Sequence, residues 1–225
     1  MRIVYEDNHL IAVDKRVGDL VQGDQTGDIP LSEQLKAYLK KKYNKQGNVF
    51  LGVIHRLDRP VSGIVLFART SKALVRMNRQ FLERKPVKKY WAIVKNAPPK
   101  DHDMLTHYLM RNAKQNKSYA YDKPKGDAKK AVLEYTLVGV SDNFYLLEIQ
   151  LYTGRHHQIR CQLAKIGCPI RGDLKYGFDR SNKDGGIDLV AGELRFLHPV
   201  KKEEIVLTAD LPDEPLWNHF KQQLS

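Results

Sequence analysis

The sequence predicts an α+β fold, with a mixed, mostly antiparallel β-sheet core and flanking helices. Three observations support this prediction. Strand-like segments rich in aromatic and β-branched residues follow one another as hairpins rather than alternating strictly with helices. The few amphipathic helical segments lie between groups of strands. No internal repeat and no clear linker interrupts the 225 residues, so we expect a single domain over residues 1–225.

The first half of the chain contains three strand-like segments and two helical ones. A polar turn, EDNH, separates the first two strands. We expect Ser32 to cap the first helix, and Thr70 or Ser71 to cap the second. The predicted strands are 2–5, 10–13 and 64–68, and the predicted helices are 32–43 and 71–84.

The second half begins with a strand at 88–95 and continues into a basic excursion at about 98–130. Lysines there interleave with Tyr119 and Tyr121, a pattern that suits either an RNA contact or a solvated loop. A polar turn, SDN, joins two long strands into a hairpin. The remaining predicted segments are a helix at 156–166, strands at 194–198 and 203–208, and a short C-terminal helix in LWNHFKQQL.

The net charge points to a polyanionic partner. Lys and Arg number 38 against 26 acidic residues, which gives a formal charge of +12. No apolar stretch approaches the ~20 residues of a membrane span. The two cysteines, Cys161 and Cys168, do not form a CxxC motif, and we expect a reducing, cytoplasmic setting without disulfides.

The stretch HRLDRPVSG, residues 55–63, places one carboxylate, Asp58, between Arg56 and Arg59. Neighbouring cations favour the ionised form of such a group, which can then act as a nucleophile or a base. The chain has no GxxxxGK[ST] loop, no GxGxxG motif and no GxSxG elbow. Nucleoside triphosphate, dinucleotide and serine-hydrolase chemistry are therefore not indicated.

A second polar cluster, TGRHHQIR at 153–160, lies where a strand gives way to a helix. Arg155 and Arg160 there could contact phosphate or solvent, because helix N-termini suit anions. His156 and His157 are adjacent, so on a helix they point about 100° apart and do not share one ion easily. Without an HExxH or paired CxxC pattern, the sequence predicts no metal site.

Several motifs, taken in order, resemble those of the RluA-type pseudouridine synthases. HRLDRPVSGIVLFA is similar to the family's signature around its catalytic aspartate, and IVYEDNHLIAVDKRVG to its N-terminal strand pair. KKYWAIV, LYTGRHHQIRCQLAKIGCPIRGDLKYG and LRFLHPV resemble its tyrosine motif, third motif and closing strand. The resemblance covers about residues 3 to 208.

The resemblance implies that Asp58 attacks a target uridine, at the ribose or at its C2′ proton. Such enzymes break the glycosidic bond, let the uracil turn and rejoin it through C5. Arg155 is implied to pair with Asp58, and Tyr90 to stack on the base, although strand-core packing is the plain alternative for Tyr90. Leu189 is implied to line the uracil pocket.

The other site residues are expected to contact the RNA substrate, tRNA or rRNA: they are His55, Arg56, Arg59 and Arg160. Bracing of the loop is the alternative for Arg56 and Arg59. The family needs no metal or organic cofactor, and we expect a monomer. Two departures are Val61, where threonine is commoner, and Arg16 in KRVG, where proline is commoner. The chain starts at the catalytic strands, so we expect no S4 RNA-binding domain.

The sequence leaves two rival functions open. The first is a non-catalytic RNA-binding or assembly factor on the same scaffold, which the charge and the basic excursion fit equally well. The second is a nucleoside glycosidase acting on small molecules, which would leave the charge of +12 unexplained.

Overall fold

The structure is a computed structural model that describes residues 1–23 and 27–224. Four α-helices and eleven strands account for most of this part of the chain, with a 3₁₀ turn at Leu174–Tyr176. The helices are α1 (Leu31–Lys42), α2 (Ser71–Leu82), α3 (Gln158–Lys165) and α4 (Pro215–Lys221). The strands are β1 (Arg2–Glu6), β2 (Leu10–Lys15), β3 (Gly52–Val53), β4 (Ser62–Ala68), β5 (Val87–Val94), β6 (His102–Asn112), β7 (Lys117–Tyr121), β8 (Lys129–Val140), β9 (Tyr145–Leu151), β10 (Leu189–Leu197) and β11 (Glu204–Thr208).

All of these strands join one sheet, in the order β1-β2-β4-β10-β5-β9-β8-β6-β7, with β11 beside β10 and β3 beside β4. Neighbouring strands run antiparallel except β4 and β10, which pair in parallel through Val190–Ser62 and Ala191–Gly63. The predicted α+β class with a mixed, mostly antiparallel sheet is therefore confirmed. The parallel pair matters for function because it brings the start of β10 against the loop that carries Asp58.

Helices cover both faces of the sheet. α1 packs on one side of β2 and β4 through Leu35 and Leu39, and α2 packs on the other side through Ala73 and Met77. Further along, α3 closes the face of β5, β8 and β9 that carries Tyr90, while α4 covers the opposite face. A fully buried aromatic or aliphatic side chain contributes roughly 1.5–3 kcal/mol, so these two layers hold the middle of the sheet firmly.

The predicted helix caps have different outcomes. Thr70 caps α2 as expected, because its Oγ1 accepts a 3.1 Å hydrogen bond from the Ala73 N–H. Ser32 as the cap of α1 is wrong, since that helix begins at Leu31 after Pro30 in extended conformation. Ser32 lies inside the first turn, where its side chain is buried.

Much of the basic segment at 98–130 is strand. β6 and β7 form a hairpin at the end of the sheet, and β6 pairs with β8 from His102–Thr136 to Leu109–Lys129. Alternate side chains of β6, including Leu105 and Leu109, are buried, which explains why this lysine-rich segment folds back onto the sheet.

Candidate active site

A cleft of about 710 Å³ opens between the end of α2, strand β5 and the turn that precedes α3. This volume is within the range of small-molecule sites, and it is large enough for a nucleotide. Its apolar lining comes from five separate parts of the chain and includes Leu57, Val61, Tyr90, Leu151 and Leu189. Asp58 lies on the same cleft, at the point where the apolar lining meets a group of basic side chains.

The loop that carries Asp58 is fixed by its own backbone. The Val61 N–H donates to the Asp58 carbonyl at 3.1 Å, and the Pro60 carbonyl accepts from the Ile187 N–H at 3.0 Å. Lys15, which is 1% exposed, extends its Nζ beneath the loop and donates to the carbonyls of Arg59 and Val61 at 3.0 and 2.6 Å. These bonds leave the Asp58 side chain little freedom to move with its backbone.

Gly63 allows the same loop to approach β10. Its φ is +115°, and a Cβ at this position would lie 2.3 Å from the carbonyl oxygen of Ala191. No L side chain fits such a contact, so glycine is required where β4 and β10 begin to pair. Gly63 thereby brings Asp58 and Leu189 to one cleft.

Asp58 forms an ion pair with Arg160 on α3. Arg160 Nη1 lies 3.1 Å from Asp58 Oδ2, while its Nε and Nη2 donate to the Oδ2 and Oδ1 of Asp173 at 2.6 and 2.8 Å. The side chain of Asp58 is 30% exposed, but those of Arg160 and Asp173 are only 6% and 1% exposed. Arg160 also lies over the Tyr176 ring, 5.1 Å from its centroid.

Burial works against the charge on Arg160, but the two carboxylates overcome this effect and raise its pKa above the ordinary value. A bidentate bond to Asp173 also fixes the plane of the guanidinium. Asp173 therefore orients Arg160, and Arg160 in turn holds one oxygen of Asp58. The other oxygen, Oδ1, has no hydrogen-bond partner within residues 1–23 and 27–224.

The structure does not pair Asp58 with Arg155, its expected partner. Arg155 borders the cleft, but it is partly exposed and its Nε donates to the Lys130 carbonyl at 3.2 Å. The helix predicted from residue 156 begins only at Gln158, after His157 in left-handed conformation with φ 52°. This later start leaves Arg155 in the preceding turn and directs Arg160, in the first turn of α3, towards Asp58.

His157 is the other protein group beside Asp58. Its Nε2 lies 3.6 Å from Asp58 Oδ2, beyond hydrogen-bond distance, and its Nδ1 is 3.0 Å from the Tyr176 hydroxyl. Burial first, and then Arg160 and His156, lower the pKa of His157 to about 2. The ring is therefore neutral at pH 7, and it borders Asp58 without adding charge.

Tyr90 lies in the cleft on β5 and is 8% exposed. Burial and the nearby Asp58 carboxylate raise the pKa of the Tyr90 phenol, so it remains protonated at neutral pH. Tyr90 also packs in the main core cluster together with Leu189, which is 3% exposed. The core-packing interpretation of Tyr90 and its predicted place in the site are therefore both compatible with its position.

Comparison with known proteins decides between the rival interpretations of this cleft. The family model described as RNA pseudouridylate synthase matches residues 9–165, which include Asp58, Tyr90, Arg155 and Arg160. The chain belongs to the RNA pseudouridylate synthase family.

Relatives in this pseudouridine synthase family cover nearly the whole chain. Ribosomal large subunit pseudouridine synthase C of Rickettsia prowazekii (strain Madrid E) is 33% identical over 93% of this chain and 68% of the relative. The tRNA pseudouridine synthase C of Vibrio parahaemolyticus is 28% identical over 98% of this chain and 95% of the relative. The solved structure of human RNA Pseudouridylate Synthase Domain Containing 4 shares the fold, with a TM-score of 0.81 at 23% identity over 99% of this chain and 92% of that one.

His55, the first residue of the pseudouridine synthase signature, is tied to the protein itself. Its Nε2 accepts a 3.1 Å hydrogen bond from the Leu66 N–H, and its ring stacks on Phe81 with centroids 5.2 Å apart. Burial lowers the pKa of His55 to about 3, with a smaller effect from Lys88. Although His55 borders the cleft, these contacts make it a brace between β4 and α2.

The two arginines that flank Asp58 point to different surroundings. Arg56 is exposed and borders the cleft. Arg59 forms an ion pair with Asp28 at 2.6 Å, with both side chains about half exposed, and it is not among the residues that line the cleft. The structure thus brings Arg56 to the site and places Arg59 at its outer margin.

Sequence reasoning missed Lys15, Asp173 and Tyr176. Lys15 is the first residue of the KRVG stretch, and Asp173 and Tyr176 belong to RGDLKYG. A charged residue in an otherwise strand-like setting was the signal available for Lys15. Neither spacing nor composition revealed that Asp173 folds back onto Arg160, 13 positions earlier.

Within the described part of the chain, no three His, Cys, Asp or Glu side chains cluster closely enough to hold a metal ion. Nor does any helix in residues 1–23 and 27–224 have the length and apolar character needed to cross a membrane.

Proposed function

We propose that this chain converts specific uridines of structured RNA, rRNA or tRNA, to pseudouridine, with Asp58 as the reacting group. The observation that carries the proposal is the state of the Asp58 carboxylate. One oxygen is held by Arg160 at 3.1 Å, and the side chain remains 30% exposed to the cleft. A group fixed on one side and open on the other is arranged to meet a substrate rather than to stabilise the fold.

The isomerisation breaks two bonds and forms two. The N1–C1′ bond of the nucleotide breaks, C5 bonds to C1′, C5 loses its proton and N1 gains one. The reaction is redox-neutral, so the proposal includes no metal or organic cofactor. Asp58 can begin it by attack at C1′ or by removal of the C2′ proton, and Arg160 holds one oxygen of the carboxylate in both cases.

The neighbouring residues have separate proposed roles. Tyr90, protonated at neutral pH because its pKa is raised, packs against the uracil. Leu189 forms the apolar wall beside it. Arg56 and Arg155 at the rim contact RNA phosphate, whereas Arg160 acts on Asp58 instead of on the RNA.

RNA is the proposed partner. Because Asp58 is partly buried, a uridine of RNA reaches it only after leaving its stack. Flipping costs a few kcal/mol, and basic side chains around the cleft offset it by holding the backbone. The charge of +12 supports a polymer over a free nucleoside. We further propose that the protein works in the cytoplasm as a monomer.

Mapping pseudouridine tests this function and identifies the substrate in one experiment. RNA from cells with and without the gene is compared at single-nucleotide resolution, and the gene is then restored as wild type or as Asp58→Asn. We expect one or more sites to vanish on deletion, to return with wild type, and to stay absent with Asp58→Asn.

Asp142→Asn is the matched control, because Asp142 is an exposed carboxylate in the turn between β8 and β9, away from this cleft. It should restore the modification fully. Purified Asp58→Asn should bind unmodified RNA from the deletion cells as wild type does. Restoration by Asp58→Asn would refute the assignment, and an unchanged map on deletion would refute the function.

A further inference from the structure

The basic residues around the cleft differ in how their charges are balanced. Near the end of α2, Arg79 and Lys85 both pair with Glu83, at 2.8 and 2.7 Å. On β5, Lys89 pairs with Glu148 at 3.1 Å on the face away from the cleft. Each of these cations has a carboxylate partner within the protein.

Lys88, the residue before Lys89, faces the other way and lines the cleft two positions from Tyr90. A Cβ built on Gly154 would lie 3.9 Å from Lys88 Nζ, so the side chain reaches across to the turn before α3. Lys88 is half-buried, and within residues 1–23 and 27–224 it has no carboxylate partner.

Arg84 adds a second cation to the same wall. It lines the cleft in left-handed conformation, with φ 58°, and it likewise lacks a carboxylate partner in the described residues. Burial, and then repulsion from Arg84, lower the pKa of Lys88 to about 8, which agrees with a cation that has no balancing anion.

We propose that Lys88, supported by Arg84, is the binding site for a backbone phosphate next to the target uridine. A half-buried lysine beside an arginine, open to a cleft and without a carboxylate, is suited to bind an anion that arrives from outside. The RNA phosphodiester is the anion that accompanies a base placed between Tyr90 and Leu189. This inference rests on the proposed function, since the phosphate belongs to the RNA substrate.

The test compares Lys88→Met with Lys89→Met, which removes the same charge one residue away on the opposite face. Binding of a stem–loop RNA with an unmodified uridine in its loop is measured across a range of NaCl concentrations in the Asp58→Asn background. We expect Lys88→Met to weaken binding about tenfold, as for one lost charged hydrogen bond. It should also lower the slope of log affinity against log salt by about 0.7 to 0.9. Lys89→Met should change both far less.

A neutral methylphosphonate, placed at one phosphate of the stem–loop at a time, locates the contact. One position beside the target uridine should weaken wild-type binding but add no further loss in Lys88→Met. Lys88→Arg should keep the salt slope, and a thermal melt checks that Lys88→Met is folded.

Equal losses for Lys88→Met and Lys89→Met would overturn the inference, because Lys88 would then contribute only to a diffuse field. So would a full further loss from every methylphosphonate in Lys88→Met. Neither result depends on turnover. A wild-type protein that binds RNA through Lys88 but forms no pseudouridine would refute the proposed function while leaving the phosphate site in place.

Discussion

The two walls of the cleft handle positive charge in opposite ways. On the α3 wall, Arg160 is almost fully buried and lies between two carboxylates, Asp58 and Asp173. On the β5 wall, Lys88 is half-buried and has no carboxylate partner among the described residues. Both are cations a short distance from the same substrate space, yet only one is balanced within the protein.

The difference separates two jobs that basic residues do in an RNA-modifying enzyme. A cation with internal partners has a fixed position before substrate arrives and can orient a reacting group. A cation without them gains its partner only when RNA binds, so it contributes to affinity and to placement of the strand. Counting basic residues, as composition does, cannot distinguish the two.

Loss of Asp173 should have the largest effect on stability. Asp173→Ala leaves Arg160 buried with one carboxylate instead of two, and breaking such a pair typically costs about 3–5 kcal/mol. We expect the free energy of unfolding in urea to fall by that order. Lys88→Met, on the other wall, removes a charge without stranding another, and should change it by less than about 0.5 kcal/mol.

Similar small changes for Asp173→Ala and Lys88→Met would contradict this contrast between the walls. In that case Arg160 would be reaching water in the variant, and the network would be less closed than its burial indicates. Activity offers a second check, because Asp173→Asn keeps the shape but loses the charge. It should lower the single-turnover rate at saturating RNA while leaving RNA affinity near that of wild type.

Acid should destabilise the α3 wall through His157. The pKa of this histidine is about 2 in the folded protein, against about 6.5 in an unfolded chain. Below pH 6.5 the unfolded state therefore binds a proton that the folded state does not, and stability falls as pH falls. Between pH 7 and pH 5, protonation of His157 in the unfolded state should lower the free energy of unfolding by about 2 kcal/mol, measured by urea unfolding.

His157→Gln should remove about 2 kcal/mol of the pH dependence, even if it lowers stability at pH 7, and should leave the share of His55, whose folded pKa is about 3. His219 on α4 is exposed, so His219→Gln is the control and should leave the dependence unchanged. A wild-type protein whose stability is flat from pH 7 to pH 5 would show that His157 becomes protonated in place, beside Asp58.

Asp58 and its partners show which parts of the site can be predicted from the sequence. Strand and helix patterns predicted the α+β class and most elements, because alternation and helical spacing are local properties. Asp58 was found because its motif is contiguous. The partner was misassigned because Arg155 and Arg160 both belong to one motif, and the choice depends on where α3 begins. Left-handed His157, which delays that start, carries no sequence signal of the kind that glycine would give.

The smallest expected effect belongs to Arg155, and it tests the corrected pairing directly. Arg155 is partly exposed and bonded to the Lys130 carbonyl, so Arg155→Ala should change stability by less than about 0.5 kcal/mol. RNA affinity should weaken modestly, with the single-turnover rate at saturating RNA little changed, whereas Arg160→Ala should lose that rate. Arg155→Lys should retain binding, since a phosphate contact needs charge more than the guanidinium fork.

If Arg155→Ala instead abolishes turnover with affinity intact, Arg155 must reach Asp58 when RNA is bound. The α3 wall would then exchange its ion pair on binding substrate, and its balanced charge would describe only the free protein.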